Sequence, residues 1–154
     1  MKFWRICRSR YAASAKSGDG ARLYGGRWNS RGVAVVYAST SLALAAIESF
    51  VNLEPHLQPS DLVSIEGTVP DDMEIERINS TQLPRDWHET RRSSLRAFGD
   101  RWVLESRTVA LLVPSAPIAG EWNVLLNPVH ADFPRVIFGR PTRFRFDPRM
   151  FKER

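Results

Sequence analysis

Short apolar runs, each closed by proline, glycine or asparagine, alternate along this chain with a single long helical pattern, and that imbalance limits what it can fold into. Residues 33–38 form a β-branched run with a tyrosine near its end, the pattern of a buried strand. Residues 62–69 alternate apolar and polar side chains until Pro70, as a half-buried strand does. Residues 109–113 stop at Pro114, and residues 122–126 stop at the turn signal of Asn127 and Pro128. Residues 136–138 and 144–146 flank a turn at 139–141 and can close the sheet. The one strong helix spans 42–53, with an N-cap candidate in Thr40 or Ser41. Residues 14–20 read as a loop, and one or two short helices are expected after Pro84 in the charged stretch 71–100. Helical crossovers are too few for a doubly wound parallel sheet. The expected class is therefore α+β with an antiparallel or mixed sheet, which excludes a Rossmann fold.

At 154 residues the chain suits one hydrophobic core, so residues 1–154 are read as a single domain. Hydrophobic residues make up 43% and charged residues 25%, which separates it from disordered sequences. No apolar run approaches the roughly 18 residues of a membrane-spanning helix. Residues 1–10 are basic and aromatic and lack the apolar stretch of a signal peptide. Neither secretion nor membrane insertion is expected, and Cys7, alone in the sequence, fits a reducing compartment such as the cytoplasm. Lysine and arginine exceed aspartate and glutamate by 22 to 17, a net charge of +5 carried mostly by arginine. Anionic substrates or partners suit that balance, as do solvated surface arginines. A nucleic-acid-binding module draws on the same arginines and on Trp4, Trp28 and Trp87, yet no uninterrupted basic tract supports it.

Familiar catalytic signatures are absent from the sequence. No Walker-type Gly-x-x-x-x-Gly-Lys and no complete dinucleotide glycine fingerprint occurs, so arginine is left to bind phosphate. His56, His88 and His130 lie too far apart for a short-spaced zinc motif, and no metal is expected. No Gly-x-Ser-x-Gly elbow announces a nucleophilic serine. Several polar residues beside glycine, strand ends and prolines remain. Arg27 follows Gly25 and Gly26 and either reaches an anion over an open turn or stacks on Trp28. Tyr37 at a strand end either stacks on a flat base or caps the core. Glu48 lies within the strong helix among Ala45, Ala46, Ile47 and Phe50; it is either a buried carboxylate with a task or an ordinary helix glutamate facing water. Ser115, between Pro114 and Pro117, reads as a turn residue.

These residues resemble the RES domain, named for its arginine, glutamate and serine. The first matching block is Gly20-Ala-Arg-Leu-Tyr-Gly-Gly-Arg-Trp-Asn29 with Gly32, then Val35-Val-Tyr-Ala-Ser39 and Leu42-Ala-Leu-Ala-Ala-Ile-Glu48. The second comprises Gly99-Asp-Arg-Trp102, Leu112-Val-Pro-Ser115, Asn123-Val-Leu-Leu-Asn-Pro128 and His130. The resemblance implies an ADP-ribosyltransferase-like fold, with two small mixed or antiparallel sheets flanked by a few helices and NAD⁺ in the cleft between them. It also implies the toxin of a type II toxin–antitoxin system that depletes NAD⁺ as glycohydrolase or phosphorylase, or alternatively an ADP-ribosyltransferase acting on a host protein. Glu48, Arg27 and Ser115 are then the expected catalytic residues, and Arg27, Tyr37, Ser115 and Asn123 the expected NAD⁺ contacts. In those roles Arg27 pairs with the pyrophosphate, Tyr37 stacks on nicotinamide, and Ser115 bonds the ribose or amide. The implied partner is an Xre-type antitoxin with a helix-turn-helix domain, around a homodimer, with no direct nucleic-acid contact.

Overall fold

The computed structural model describes residues 1–54, 59–88 and 93–151. Its core is a mixed eight-stranded sheet built from β1 (Lys2–Arg8), β2 (Val36–Ser39), β3 (Leu62–Thr68), β4 (Ile75–Arg77), β5 (Ala110–Pro114), β6 (Trp122–Leu126), β7 (Ile137–Phe138) and β8 (Thr142–Phe144). The strand order is β4-β5-β6-β2-β1-β3-β7, and β8 also pairs with β3. Only β4 and β5 run parallel; every other pair is antiparallel. Helices α1 (Asp19–Tyr24), α2 (Leu42–Phe50) and α3 (Ser93–Leu104) flank this sheet. The α+β reading from sequence holds.

The two small sheets expected from sequence are here two halves joined by a narrow seam. β1 pairs with β3 along its whole length, from Lys2 opposite Thr68 to Arg8 opposite Leu62. β2 pairs with β6 from Val36 opposite Leu126 to Ser39 opposite Asn123. Between the halves the register gives one pair, Trp4 opposite Ser39. Beyond it the strands part and leave a cleft.

Side chains alternate across the sheet and build two cores. On one face Phe3, Val36, Ala38, Leu112, Val124 and Leu126 pack against Val69, Met73 and Val136 from the connections. On the other, Val35, Leu111, Val113 and Leu125 meet Trp28, Leu95, Trp102 and Val103, so α3 covers the β5–β6 half. Polar atoms in that core are bonded: Trp102 Nε1 donates to Thr108 Oγ1 at 3.0 Å, and Asn127 Nδ2 to the Val103 carbonyl at 3.2 Å. Asn127 therefore ties α3 to the end of β6 and takes no part in the cleft.

Helix α2 starts at Leu42 because the Ser41 hydroxyl accepts from the Leu44 N–H at 3.1 Å, which satisfies one of the orphan donors of the first turn. It ends at Phe50, three residues before the sequence pattern suggested, and its chain continues in turns. Phe50 meets Phe146 edge-on at 5.8 Å, and Phe146 meets Phe144 of β8 at 5.1 Å. This aromatic contact anchors the end of α2 at the β3–β8 edge and sets the face that the helix turns to the seam. Among the described residues, no helix is long and apolar enough to cross a membrane.

Candidate active site

A cavity of about 590 Å³ opens at the seam. It is lined by β1 (Trp4, Arg5, Ile6), β2 (Tyr37 to Ser39), α2 and the turn after it (Ala45, Glu48, Ser49, Asn52), the glycine turn Gly25 to Trp28, and the end of β5 with the residues that follow (Val113, Pro114, Ala116, Pro117). Arg27, Tyr37, Glu48 and Asn123, four of the residues singled out from sequence, all line it.

Glu48 is partly buried, and its carboxylate is held from one side. Oε1 accepts from the Ser115 hydroxyl at 2.8 Å and from the Asn123 amide. Asn123 Oδ1 in turn accepts from the Ser39 hydroxyl at 2.7 Å, which fixes the orientation of the amide and turns its NH₂ toward the carboxylate. Among the described residues Oε2 has no partner. The carboxylate is thus anchored through one of its two oxygens. Ser115 is buried at 3% exposure and sits behind Glu48, with its Oγ also accepting from the Ile118 N–H at 3.3 Å.

The opposite wall is the turn after α1. Gly26 packs so closely under the Tyr37 ring and hydroxyl that a Cβ there has no room. The Tyr37 hydroxyl accepts from the Trp28 N–H at 3.0 Å and donates to Asn29 Oδ1 at 2.8 Å. Asn29, fully buried, places Nδ2 within 2.8, 3.0 and 2.9 Å of the carbonyls of Ala21, Ser30 and Val33. These bonds turn the loop into a rigid cradle that presents Arg27. One Arg27 nitrogen donates to the Trp87 carbonyl at 2.9 Å, so the stretch after Pro84, which had no role in the sequence reading, orients this guanidinium.

Arg5 was not singled out from sequence, and it lies on the floor of the same cavity. Where β1 and β2 part, its guanidinium donates to the Tyr37 carbonyl at 2.7 Å in place of a ladder bond. Its buried Nε has no partner among the described residues. Burial holds its pKa below the ordinary arginine value, against the opposing influence of the neighbouring Cys7 thiol. Arg5 is half-buried and makes no ion pair among the described residues, and an anionic partner offsets the cost of withdrawing its charge from water. No group of three or more His, Cys, Asp or Glu among the described residues is placed to hold a metal ion; His56 lies outside them.

Fold and site together define a protein with a split-sheet cleft in which an anchored carboxylate and two arginines line the same cavity. The chain belongs to the RES domain family, whose model matches residues 2–147. It is 38% identical to the Prs ADP-ribosylating toxin of Sphingobium sp. (strain YBL2), over 98% of this chain and 97% of that protein. It is 37% identical to Toxin Res of Photorhabdus laumondii, over 89% and 88% of the two chains. In fold it is similar to a chain in the crystal structure of the M. tuberculosis MbcT–MbcA toxin–antitoxin complex, with a TM-score of 0.69 at 19% identity over 97% of this chain and 86% of that one.

Proposed function

We propose that this protein is a toxin that consumes NAD⁺ by cleaving the bond between nicotinamide and ribose. The observation that carries the reading is the half-anchored Glu48 carboxylate facing a cavity that also holds Arg27 and Arg5. Nicotinamide leaves as a neutral base when the bonding electron pair passes to its ring nitrogen, so no acid is needed to assist departure. Positive charge then develops at the ribose carbon and its ring oxygen, and a carboxylate fixed beside that sugar stabilises it. The unpartnered Glu48 Oε2 is suited to bond a ribose hydroxyl and hold the sugar, while Ser115 and Asn123 keep the carboxylate in place. Arg27 and Arg5 suit the pyrophosphate, since guanidinium–phosphate bonds are charge-assisted and bidentate. Tyr37 offers its ring to a flat base while its hydroxyl stays with the cradle.

Three acceptors complete the reaction. Water gives ADP-ribose and a proton, inorganic phosphate gives ADP-ribose 1″-phosphate, and a protein side chain gives an ADP-ribosylated target. The third draws specific support from the name of the Sphingobium relative, an ADP-ribosylating toxin. A toxin of this kind works in the cytoplasm under the control of an antitoxin, here proposed as an Xre-type helix-turn-helix protein bound around a toxin homodimer. The test incubates purified protein with NAD⁺, with and without phosphate and with cell extract, and separates nucleotides and labelled proteins. Release of nicotinamide that disappears in Glu48→Gln is the expected result; NAD⁺ left intact in all three mixtures overturns the reading.

A further inference from the structure

Helix α3 carries the sequence Gly99-Asp-Arg-Trp102, and Trp102 explains itself as core. Gly99 and Asp100 do not, and both face the cavity turn. Three successive residues of this helix each take hold of one segment, Trp28 to Ser30. The Phe98 ring meets the Trp28 ring edge-on at 6.4 Å and 74°. Gly99 lies so close to the Trp28 carbonyl that any Cβ would collide with that backbone oxygen. Asp100 Oδ1 accepts from the Ser30 N–H at 2.8 Å. A carboxylate holding a loop amide makes a charge-assisted bond, stronger than the neutral contacts elsewhere in the turn.

We propose that Asp100 is a positioning residue for ligand binding: with Gly99 it fixes the turn that presents Arg27, and it sets how tightly the cavity takes an anionic dinucleotide. Resting on the NAD⁺ reading above, the inference assigns α3 a task at the site although none of its residues lines the cavity. Arg27 sits one residue before Trp28, so play in the Trp28–Ser30 backbone displaces its guanidinium directly. Glu48 is anchored on the other wall by hydrogen bonds from Ser115 and Asn123. Loss of Asp100 therefore weakens binding and leaves the chemical step nearly intact.

The test compares the wild type with Asp100→Ala and Asp100→Asn. The asparagine keeps an oxygen able to accept from Ser30 N–H; the alanine does not. In Asp100→Ala the KM for NAD⁺ is expected to rise roughly tenfold, with kcat within about threefold of wild type, and Asp100→Asn should recover most of the loss. Amide hydrogen exchange at Ser30 should quicken in Asp100→Ala while the amides of β5 and β6 keep their protection. A wild-type KM in Asp100→Ala, a fall confined to kcat, or unchanged exchange at Ser30 overturns the assignment. Should the wild type leave NAD⁺ untouched, the proposed function fails by itself, and Ser30 exchange still decides whether Asp100 fixes the turn.

Discussion

The two walls of the cavity are held by different means. On the Glu48 wall, side chains bond to side chains: Ser39 to Asn123, and Asn123 and Ser115 to one carboxylate oxygen. On the Arg27 wall, apart from the bond of Tyr37 to Asn29, side chains bond to backbone: Asn29 to three carbonyls, Tyr37 to the Trp28 N–H, Asp100 to the Ser30 N–H, and Arg27 itself to the Trp87 carbonyl. The first arrangement fixes the position of a charge, and the second fixes the shape of a cradle. Substitutions on the first wall should therefore strike the chemical step, and those on the second should strike affinity.

Glu48→Gln cuts most sharply at this contrast. The amide oxygen can still accept from Ser115 and Asn123, so geometry survives while the charge facing the cavity is gone. NAD⁺ consumption should fall on the order of a thousandfold or more, as when a preorganised electrostatic group is removed. The thermal midpoint should stay within about 2 °C of wild type, because no core contact changes. A large loss of stability with modest loss of turnover would make Glu48 a structural residue and dissolve the difference between the walls.

Arg5 belongs to neither wall and tests whether the cleft floor contributes binding. Arg5→Met keeps the length of the side chain and removes a half-buried cation that makes no ion pair among the described residues. The ratio kcat/KM for NAD⁺ should fall roughly a hundredfold, since a charge-assisted phosphate contact is lost. Thermal stability should hold or rise, because replacing a buried ion with a packed apolar side chain is often neutral or favourable. A drop in midpoint with normal kinetics would reduce Arg5 to a strap between β1 and β2.

Arg5 also marks where sequence reading stopped. The strands at 62–68, 110–114 and 122–126 were legible because they carry β-branched or alternating apolar residues closed by turn residues. β1 carries neither pattern. By alternation Phe3, Arg5 and Cys7 share one face, and Lys2, Trp4, Ile6 and Arg8 the other, so both faces mix charge with apolar side chains. Its place is set by pairing with β3, which is a tertiary fact. Helix α1 is six residues long and buries none of them, too little to show a period, and part of it was read as loop. Asn123 and the roles of Arg27, Tyr37 and Glu48 came from the resemblance, although those three had already stood out as polar residues beside glycine, at a strand end and within an apolar helix; the convergence of all four comes from the seam. Ser115 was found in the same way, but a sequence cannot show that its hydroxyl turns toward Glu48 and away from the open cavity.

On the Glu48 wall the next effects are smaller and depend on each other. Ser115→Ala and Asn123→Ala should each lower kcat roughly tenfold with little change in KM, because each removes one of the two donors that hold Oε1. Both donors act on the same oxygen, so the double variant should depart from the product of the single effects. Steady-state kinetics on the three variants measures that coupling. Independent multiplication would mean that the two residues act at different points, for instance Ser115 on the ligand as first expected.

The smallest effect should come from Ser39, two bonds from the carboxylate. Its hydroxyl donates to Asn123 Oδ1 and so decides which end of the amide faces Glu48. Without that donor the amide can turn over and set its oxygen against the carboxylate, which is repulsive; competition between the two orientations lowers the fraction of protein with Glu48 properly held. Ser39→Ala should lower kcat by about threefold, consistent with a neutral hydrogen bond of about 0.5–1.5 kcal/mol acting through an intermediary. In an Asn123→Ala background the same substitution should have no further effect, because there is no amide left to orient. A Ser39 effect that persists in that background would mean that this hydroxyl, which lines the cavity at the seam opposite Trp4, meets the ligand itself.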